Sequence, residues 1–153
     1  MVLLGVVLST ALFLFLRGIH SSSSITLEGE KLVRFANLYW DLTRAFYGAK
    51  RLQLVNGTSL YLITTGGLFY PGVVHSAFIY RNGTLYYYEY PYPYGDIKQI
   101  EEDKLIALYR LDSFRMEVLA KGGKRLSNYR GKKPPLMEVN ASGRVFYLSL
   151  IHI

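Results

Sequence analysis

The chain has no cysteine, so disulfides, thiolate zinc sites, iron–sulfur clusters and thiol nucleophiles are excluded whatever compartment it occupies. Charge is scarce too: 19% of residues are charged against 50% hydrophobic, and the mean hydropathy is +0.14. Such a chain is too apolar to be intrinsically disordered and apolar enough to suggest contact with a membrane. Its 153 residues hold one domain of ordinary size plus a short appendage. The motifs of catalysis are missing as well. There is no HExxH, GxSxG, P-loop or GxGxxG, and His20, His75 and His152 lie far apart without ligand spacing. Gly66-Gly67 and Gly122-Gly123 read as loop glycines, because neither opens a helix that binds phosphate. Asp96, Glu101, Glu102 and Asp103 form the one acidic cluster, and their spacing is that of a solvated turn rather than an EF-hand. The expectation is a protein that is not an enzyme and takes no cofactor or metal.

The net charge of +7 is local. Lys121, Lys124, Arg125, Arg130, Lys132 and Lys133 fall in one stretch without an acid, which leaves twelve basic residues against eleven acidic ones elsewhere. One basic loop accounts for the excess, and no nucleic-acid partner is expected. That loop reads as a solvated, mobile connection, or as a surface for anionic lipid heads, acidic glycans or an acidic protein patch.

What the sequence has in abundance begins at its start. Val2, Leu3, Leu4, Val6, Val7, Leu8, Leu12, Phe13, Phe15 and Leu16 dominate a run over residues 2–16 whose only gaps are Gly5, Ser9, Thr10 and Ala11. As a helix, that run spans about 22 Å, and about 27 Å if extended to Ile19, against a bilayer core of about 30 Å. No basic residue precedes it, so a retained membrane anchor is favoured over a cleaved signal. Arg17, on the C-terminal flank, argues for a cytoplasmic domain. Against it, Asn56-Gly57-Thr58, Asn82-Gly83-Thr84 and Asn140-Ala141-Ser142 turn three of five asparagines into glycosylation acceptors, which argues for export. The same segments also read simply as hairpin turns.

The organisation that follows is a helix at residues 1–20, a serine-rich hinge at 21–26 and an α+β domain at 27–153. Leu32, Phe35, Tyr39, Leu42, Phe46 and Ala49 recur at helical spacing and predict an amphipathic helix over about 27–49 with a core-packing face. After Arg51 the period becomes 2. Hairpins are predicted at 52–55 with 60–65, 74–81 with 84–90, and 136–139 with 144–151, plus a strand over 114–118 and another within 104–111. Tyr86, Tyr87, Tyr88, Tyr90, Tyr92 and Tyr94 with Pro91 and Pro93 form an aromatic strand and loop. Tyrosine buries a large ring at low entropic cost, so Tyr90, Tyr92 and Tyr94, with Lys132 and Lys133, are candidates for a contact surface for a protein or glycan; about half of these tyrosines are expected simply to cover the sheet.

The order of apolar helix, Gly/Ser stretch, amphipathic helix and antiparallel sheet resembles the type IV pilin superfamily. The segments Ala77-Phe78-Ile79-Tyr80-Arg81-Asn82-Gly83-Thr84-Leu85-Tyr86-Tyr87, Leu111-Asp112-Ser113-Phe114-Arg115-Met116-Glu117-Val118, Pro134-Pro135-Leu136-Met137-Glu138-Val139 and Gly143-Arg144-Val145-Phe146-Tyr147-Leu148 are similar to the sheet of minor pseudopilins. The resemblance implies an α+β pilin-like fold, assembly with other pilin-like subunits through residues 2–16, and a place in a surface filament or secretion machine. Gly5 stands where bacterial members carry an acid at the fifth position. A single-pass membrane protein whose tyrosine-rich domain binds a partner or an envelope glycan is the second expectation.

Overall fold

The computed structural model describes residues 9–12, 29, 32–134 and 136–149, and the chain divides into two compact units, Met1–Asn37 and Leu38–Ile153. In the first, residues 9–12, 29 and 32–37 are helical, and Leu12 is exposed. The other residues proposed for membrane insertion or assembly, Val2, Leu3, Leu4, Val6, Val7, Leu8, Phe13, Phe15 and Leu16, lie outside the described residues, as does the hinge at 21–26. Among the described residues no helix is long and apolar enough to cross a membrane.

A helix, α1, runs over residues 32–47. In the second unit it buries Leu38, Leu42, Ala45 and Phe46, spaced to form one stripe. Of the predicted stripe, Leu42 and Phe46 are buried and Tyr39 is half-buried, but Ala49 has passed into the first strand and Leu32 is exposed. Ten strands follow: β1 Ala49–Val55, β2 Ser59–Thr64, β3 Val74–Arg81, β4 Thr84–Tyr90, β5 Ile106–Arg110, β6 Phe114–Leu119, β7 Arg125–Leu126, β8 Tyr129–Gly131, β9 Leu136–Ala141 and β10 Arg144–Ser149. They form two antiparallel sheets, of order β5-β4-β3-β2-β1-β8 and β10-β9-β6-β7.

Local chemistry explains the hairpins. Asn56-Gly57, Asn82-Gly83 and Ser142-Gly143 all have positive φ at both positions, between 50° and 82°, as a turn matching the strand twist requires; the last two pairs are the whole loop, whereas Thr58 follows Gly57 before β2 begins. Ser142 takes the first of these positions in the third hairpin, so Asn140 and Ala141 belong to β9 rather than to the turn. The first turn also ties the sheets together, since Gly57 N–H donates to Ser127 O at 2.8 Å and Met116 N–H donates to Gly57 O at 2.7 Å.

The core lies among α1 and the inner faces of the sheets. Leu52, Leu54, Leu60, Leu62, Phe78, Leu85 and Tyr87 come from the larger sheet; Phe114, Met116, Val118, Met137, Val139, Phe146 and Leu148 come from the smaller. Tyr80 packs on Phe114 with ring centroids 5.8 Å apart, and Tyr39 of α1 meets Phe146 edge-on at 5.3 Å. Each large side chain buried there contributes about 1.5–3 kcal/mol of transfer free energy. On the outer face of the larger sheet, Ala77, Ile79 and Tyr88 are covered by Ile100 and Leu105 from the segment after β4.

The α+β pilin-like class is therefore corrected. Strands take up 46% of the described residues, arranged as two sheets that a helix contacts, and the described helical residues supply no apolar helix of membrane length. Period-2 patterning marks strands without saying which sheet they join. The basic connection at 121–133 is also corrected: Arg125–Leu126 pairs with β6 and Tyr129–Gly131 pairs with β1, so the segment closes one edge of each sheet.

Candidate functional site

Residues 65–73 connect β2 to β3 and cross the inner end of β4, where Glu89 sits beside Tyr87 on the strand's inner-facing row. A carboxylate on that face needs donors, and the loop provides them. Leu68 N–H and Tyr70 N–H each donate at 2.6 Å and Phe69 N–H at 3.0 Å, while the Tyr87 hydroxyl donates a further, very short bond. Three successive amides aimed at one carboxylate make an anion nest satisfied from within the chain. The approach demands glycine: a Cβ on Gly67 would lie 2.6 Å from Glu89 Oε1, and one on Gly66 would lie 2.0 Å from Arg44 O.

With its backbone held, the loop turns its side chains outward. Phe69 is 56% exposed, Tyr70 46% and Val73 36%, although Phe69 rests edge-on against the buried Tyr87 ring at 5.7 Å. Between this loop and β5 lies a groove of about 350 Å³ whose lining includes Phe69, Tyr70, Glu89, Asp103, Leu105 and Ile106. Strand β5 is an edge of the larger sheet, and its Ile106 is 47% exposed. The arrangement combines a strand edge left unpaired among the described residues, two aromatic rings and a carboxylate floor. It can accept an extended chain with apolar side chains and offers no reactive constellation.

Burial, and then the hydrogen bond to Glu89, pushes the Tyr87 phenol far above its ordinary range; burial, and then Asp41, does the same to Tyr109. Tyr109 Oη donates to Asp41 Oδ2 at 2.7 Å, fastening β5 to α1. A folded-state pKa raised above the unfolded value of about 10 means stability that is complete below that pH and falls as pH rises beyond it. Urea midpoints are expected to stay level to about pH 9 and then fall, with Tyr87 alone contributing a slope of up to about 1.4 kcal/mol per pH unit. Tyr87→Phe should flatten the decline, and an undiminished decline in that variant would show that other groups cause it.

The tyrosine-rich candidates divide. Tyr90 is half-buried, packs on the Ala77–Ile79–Tyr88 cluster and carries Lys104 Nζ 5.2 Å from its ring centre. Tyr92, 59% exposed, meets Tyr90 edge-on, and Tyr94 is 84% exposed. Lys132 is exposed, whereas Lys133 is half-buried and donates from Nζ to Tyr47 O at 2.5 Å, where a cation suits the C-terminal end of α1. Tyr90 and Lys133 are thus structural contacts, and the structure does not gather Tyr92, Tyr94 and Lys132 into the β5 groove.

Of the sequons, Asn56 and Asn82 are exposed on turns, but Asn140 is half-buried in β9, between β6 and β10, with its Oδ1 buried and without a hydrogen-bond partner. Three of the four acids of the cluster are engaged in ion pairs or a turn, and Asp103 lines the β5 groove. Glu102 forks onto Arg81 at 2.7 and 2.9 Å, Glu101 pairs with Lys104, and Asp96 accepts from Lys98 N–H. His75 is buried and donates from Nε2 to Ile97 O at 2.6 Å. No group of three potential metal ligands occurs among the described residues.

The Glu89 clamp escaped the sequence reading, yet a signal was present. Leu85, Tyr87 and Glu89 share a strand face by their spacing, and a carboxylate in line with buried neighbours needs a private set of donors.

Comparison with known proteins gives a substantial likeness. The chain is 40% identical over 144 residues to an uncharacterized protein of Aquifex aeolicus (strain VF5), a match covering 94% of this chain and 82% of that protein. No protein-family model matches the chain. No solved structure matches it either.

Proposed function

The chain belongs to the family of this Aquifex aeolicus protein, and we propose from its own surface that it is a non-catalytic binding subunit that takes an extended segment of a partner protein along the free edge of β5. The observation that carries this reading is the loop 66–70, clamped through its backbone by Glu89 so that Phe69 and Tyr70 stand exposed beside a strand edge that is unpaired among the described residues. Strand addition draws affinity from main-chain hydrogen bonds and specificity from alternate side chains, and the groove provides for both. A rigid aromatic loop also loses little entropy on binding.

The resemblance to type IV pilins contributes the attachment and not the fold. The apolar residues at 2–16 would hold the subunit in a membrane, or in a bundle with pilin-like copies, as part of a surface filament or secretion machine. Residues 38–153 would then face out of the cytoplasm, a reading supported by the exposed acceptors Asn56 and Asn82 and not by Asn140.

Titration of the isotope-labelled full chain, in detergent, with a panel of peptides alternating apolar and polar residues tests the binding mode. Amide shifts are expected to concentrate at residues 68–70 and 105–110. Phe69→Ala or Ile106→Lys should weaken binding at least tenfold, about 1.4 kcal/mol, with thermal midpoints near wild type. Shifts centred elsewhere, or unchanged affinity in both variants, would sink the reading.

A further inference from the structure

A different edge of the larger sheet gathers three cations that form no ion pair among the described residues. Strand β1 carries Arg51 on its outer face, and β8 lies beside it with Gln53 opposite Arg130. The segment after β4 passes over this corner and brings Lys98 to it, forming a groove of about 420 Å³ whose lining includes Arg51, Asp96, Lys98, Arg130 and Gly131.

Four other basic side chains on or beside the sheets are ion-paired: Arg81 with Glu102, Arg115 with Glu117, Arg125 with Glu138 and Lys104 with Glu101, each within 3.2 Å. Arg51, Lys98 and Arg130 make no side-chain ion pair among the described residues. The one acid in the groove, Asp96, accepts the Lys98 backbone N–H at 3.0 Å and so caps its own turn. Three like charges held by a strand pair and a folded segment repel one another, and the single carboxylate of Asp96 offsets only part of that repulsion. A concave site of this size accommodates more than a bare ion, and two guanidinium groups present the planar forks that suit phosphate oxygens.

We propose that this groove binds the phosphate of a small phosphorylated molecule, with Arg51 and Arg130 grasping the phosphate oxygens and Lys98 adding charge from the covering segment. A phosphate ester of about glycerol or sugar size matches the volume. Its source is either a free sugar phosphate or the glycerophosphate of a lipid headgroup, since the two offer the same chemistry. The site is separate from the β5 groove, because β5 and β8 are opposite edges of the sheet.

The test is titration of the labelled full chain in neutral detergent with glycerol 3-phosphate, and in parallel with micelles doped with phosphatidylglycerol. Saturable amide shifts at Gly95, Lys98 and Gly131 are expected. Arg51→Gln with Arg130→Gln should weaken binding at least tenfold, and Lys98→Gln alone several-fold. Lys121→Gln with Lys124→Gln, which removes two cations outside the groove, should leave it unchanged. Saturation by glycerol 3-phosphate alone identifies a free ester, and saturation by the lipid alone identifies a headgroup; either result supports the site. The inference is overturned if neither ligand saturates these amides, or if the Lys121/Lys124 variant loses as much affinity as the arginine variant. If the arginine variant shows an unfolded spectrum, the Lys98→Gln result decides, and wild-type affinity there overturns it.

Discussion

Replacing Glu89 with alanine is expected to destabilise the chain by about 3 kcal/mol and to loosen the loop that displays Phe69 and Tyr70. The carboxylate accepts from three backbone amides at 2.6–3.0 Å and from Tyr87. Truncation leaves these donors without their acceptor, and the Leu68 amide and Tyr87 hydroxyl are too enclosed for water to replace it fully. Each stranded donor in such a place costs about 1–3 kcal/mol, while the more exposed Phe69 and Tyr70 amides recover bonds to water. Glutamine is the informative comparison. It keeps one acceptor oxygen but brings an NH₂ group against a set of donors, so Glu89→Gln should recover less than half of the loss. Urea unfolding monitored by circular dichroism measures the stability, and limited proteolysis at Phe69 and Tyr70 measures the loop. If Glu89→Ala unfolds at the wild-type midpoint with its loop still protected, the clamp does not hold the loop.

This clamp also shows how far the sequence could be read. The hairpins were legible because their determinants are local: Asn82-Gly83 supplies the two positive φ values, and the alternation on either side gives β3 and β4 their observed bounds. The helix was legible for a similar reason, with Leu42 and Phe46 on the buried stripe. Partition into two sheets was not legible, since a period of 2 says only that a strand has two faces. Nor was the pairing of Tyr129–Gly131 with β1, which joins residues about eighty apart through a strand too short to show a pattern. That about half of the tyrosine strand covers the sheet agrees with Tyr87 and Tyr88, which are core residues, although spacing does not say which tyrosines these are. In the candidate site, Phe69 and Tyr70 are ordinary loop residues by sequence, and their exposure depends on a carboxylate about twenty positions later. Contacts at that separation follow from the fold rather than from spacing.

The seam between α1 and the β2–β3 connection is where one added methyl group should have the largest effect. Gly66 shows no left-handed backbone, so alanine there meets no conformational barrier, and the obstacle is space alone. A Cβ would stand 2.0 Å from the Arg44 carbonyl oxygen and 2.6 Å from its carbon. Both atoms belong to the backbone of the last turns of α1, which cannot rotate aside as a side chain would. The surrounding bonds fix the same approach from both sides: Thr64 Oγ1 donates to Ala45 O at 2.6 Å, Gly66 N–H donates to Thr64 Oγ1 at 2.9 Å, and Thr65 N–H donates to Gly48 O at 3.0 Å. Relief of the clash must move the helix away from the sheet, breaking that set and uncovering Leu42, Ala45 and Phe46. Gly66→Ala is therefore expected to cost about 3 kcal/mol or more, at the upper end of what overpacking does in cores. Gly72→Ala provides the control, because a Cβ there meets nothing within 4 Å and only its φ of 79° opposes substitution, a penalty of about 1–2 kcal/mol. Thermal unfolding of the two variants should rank Gly66→Ala as the less stable by a clear margin. The reverse order would mean that α1 does not lie against residues 64–66.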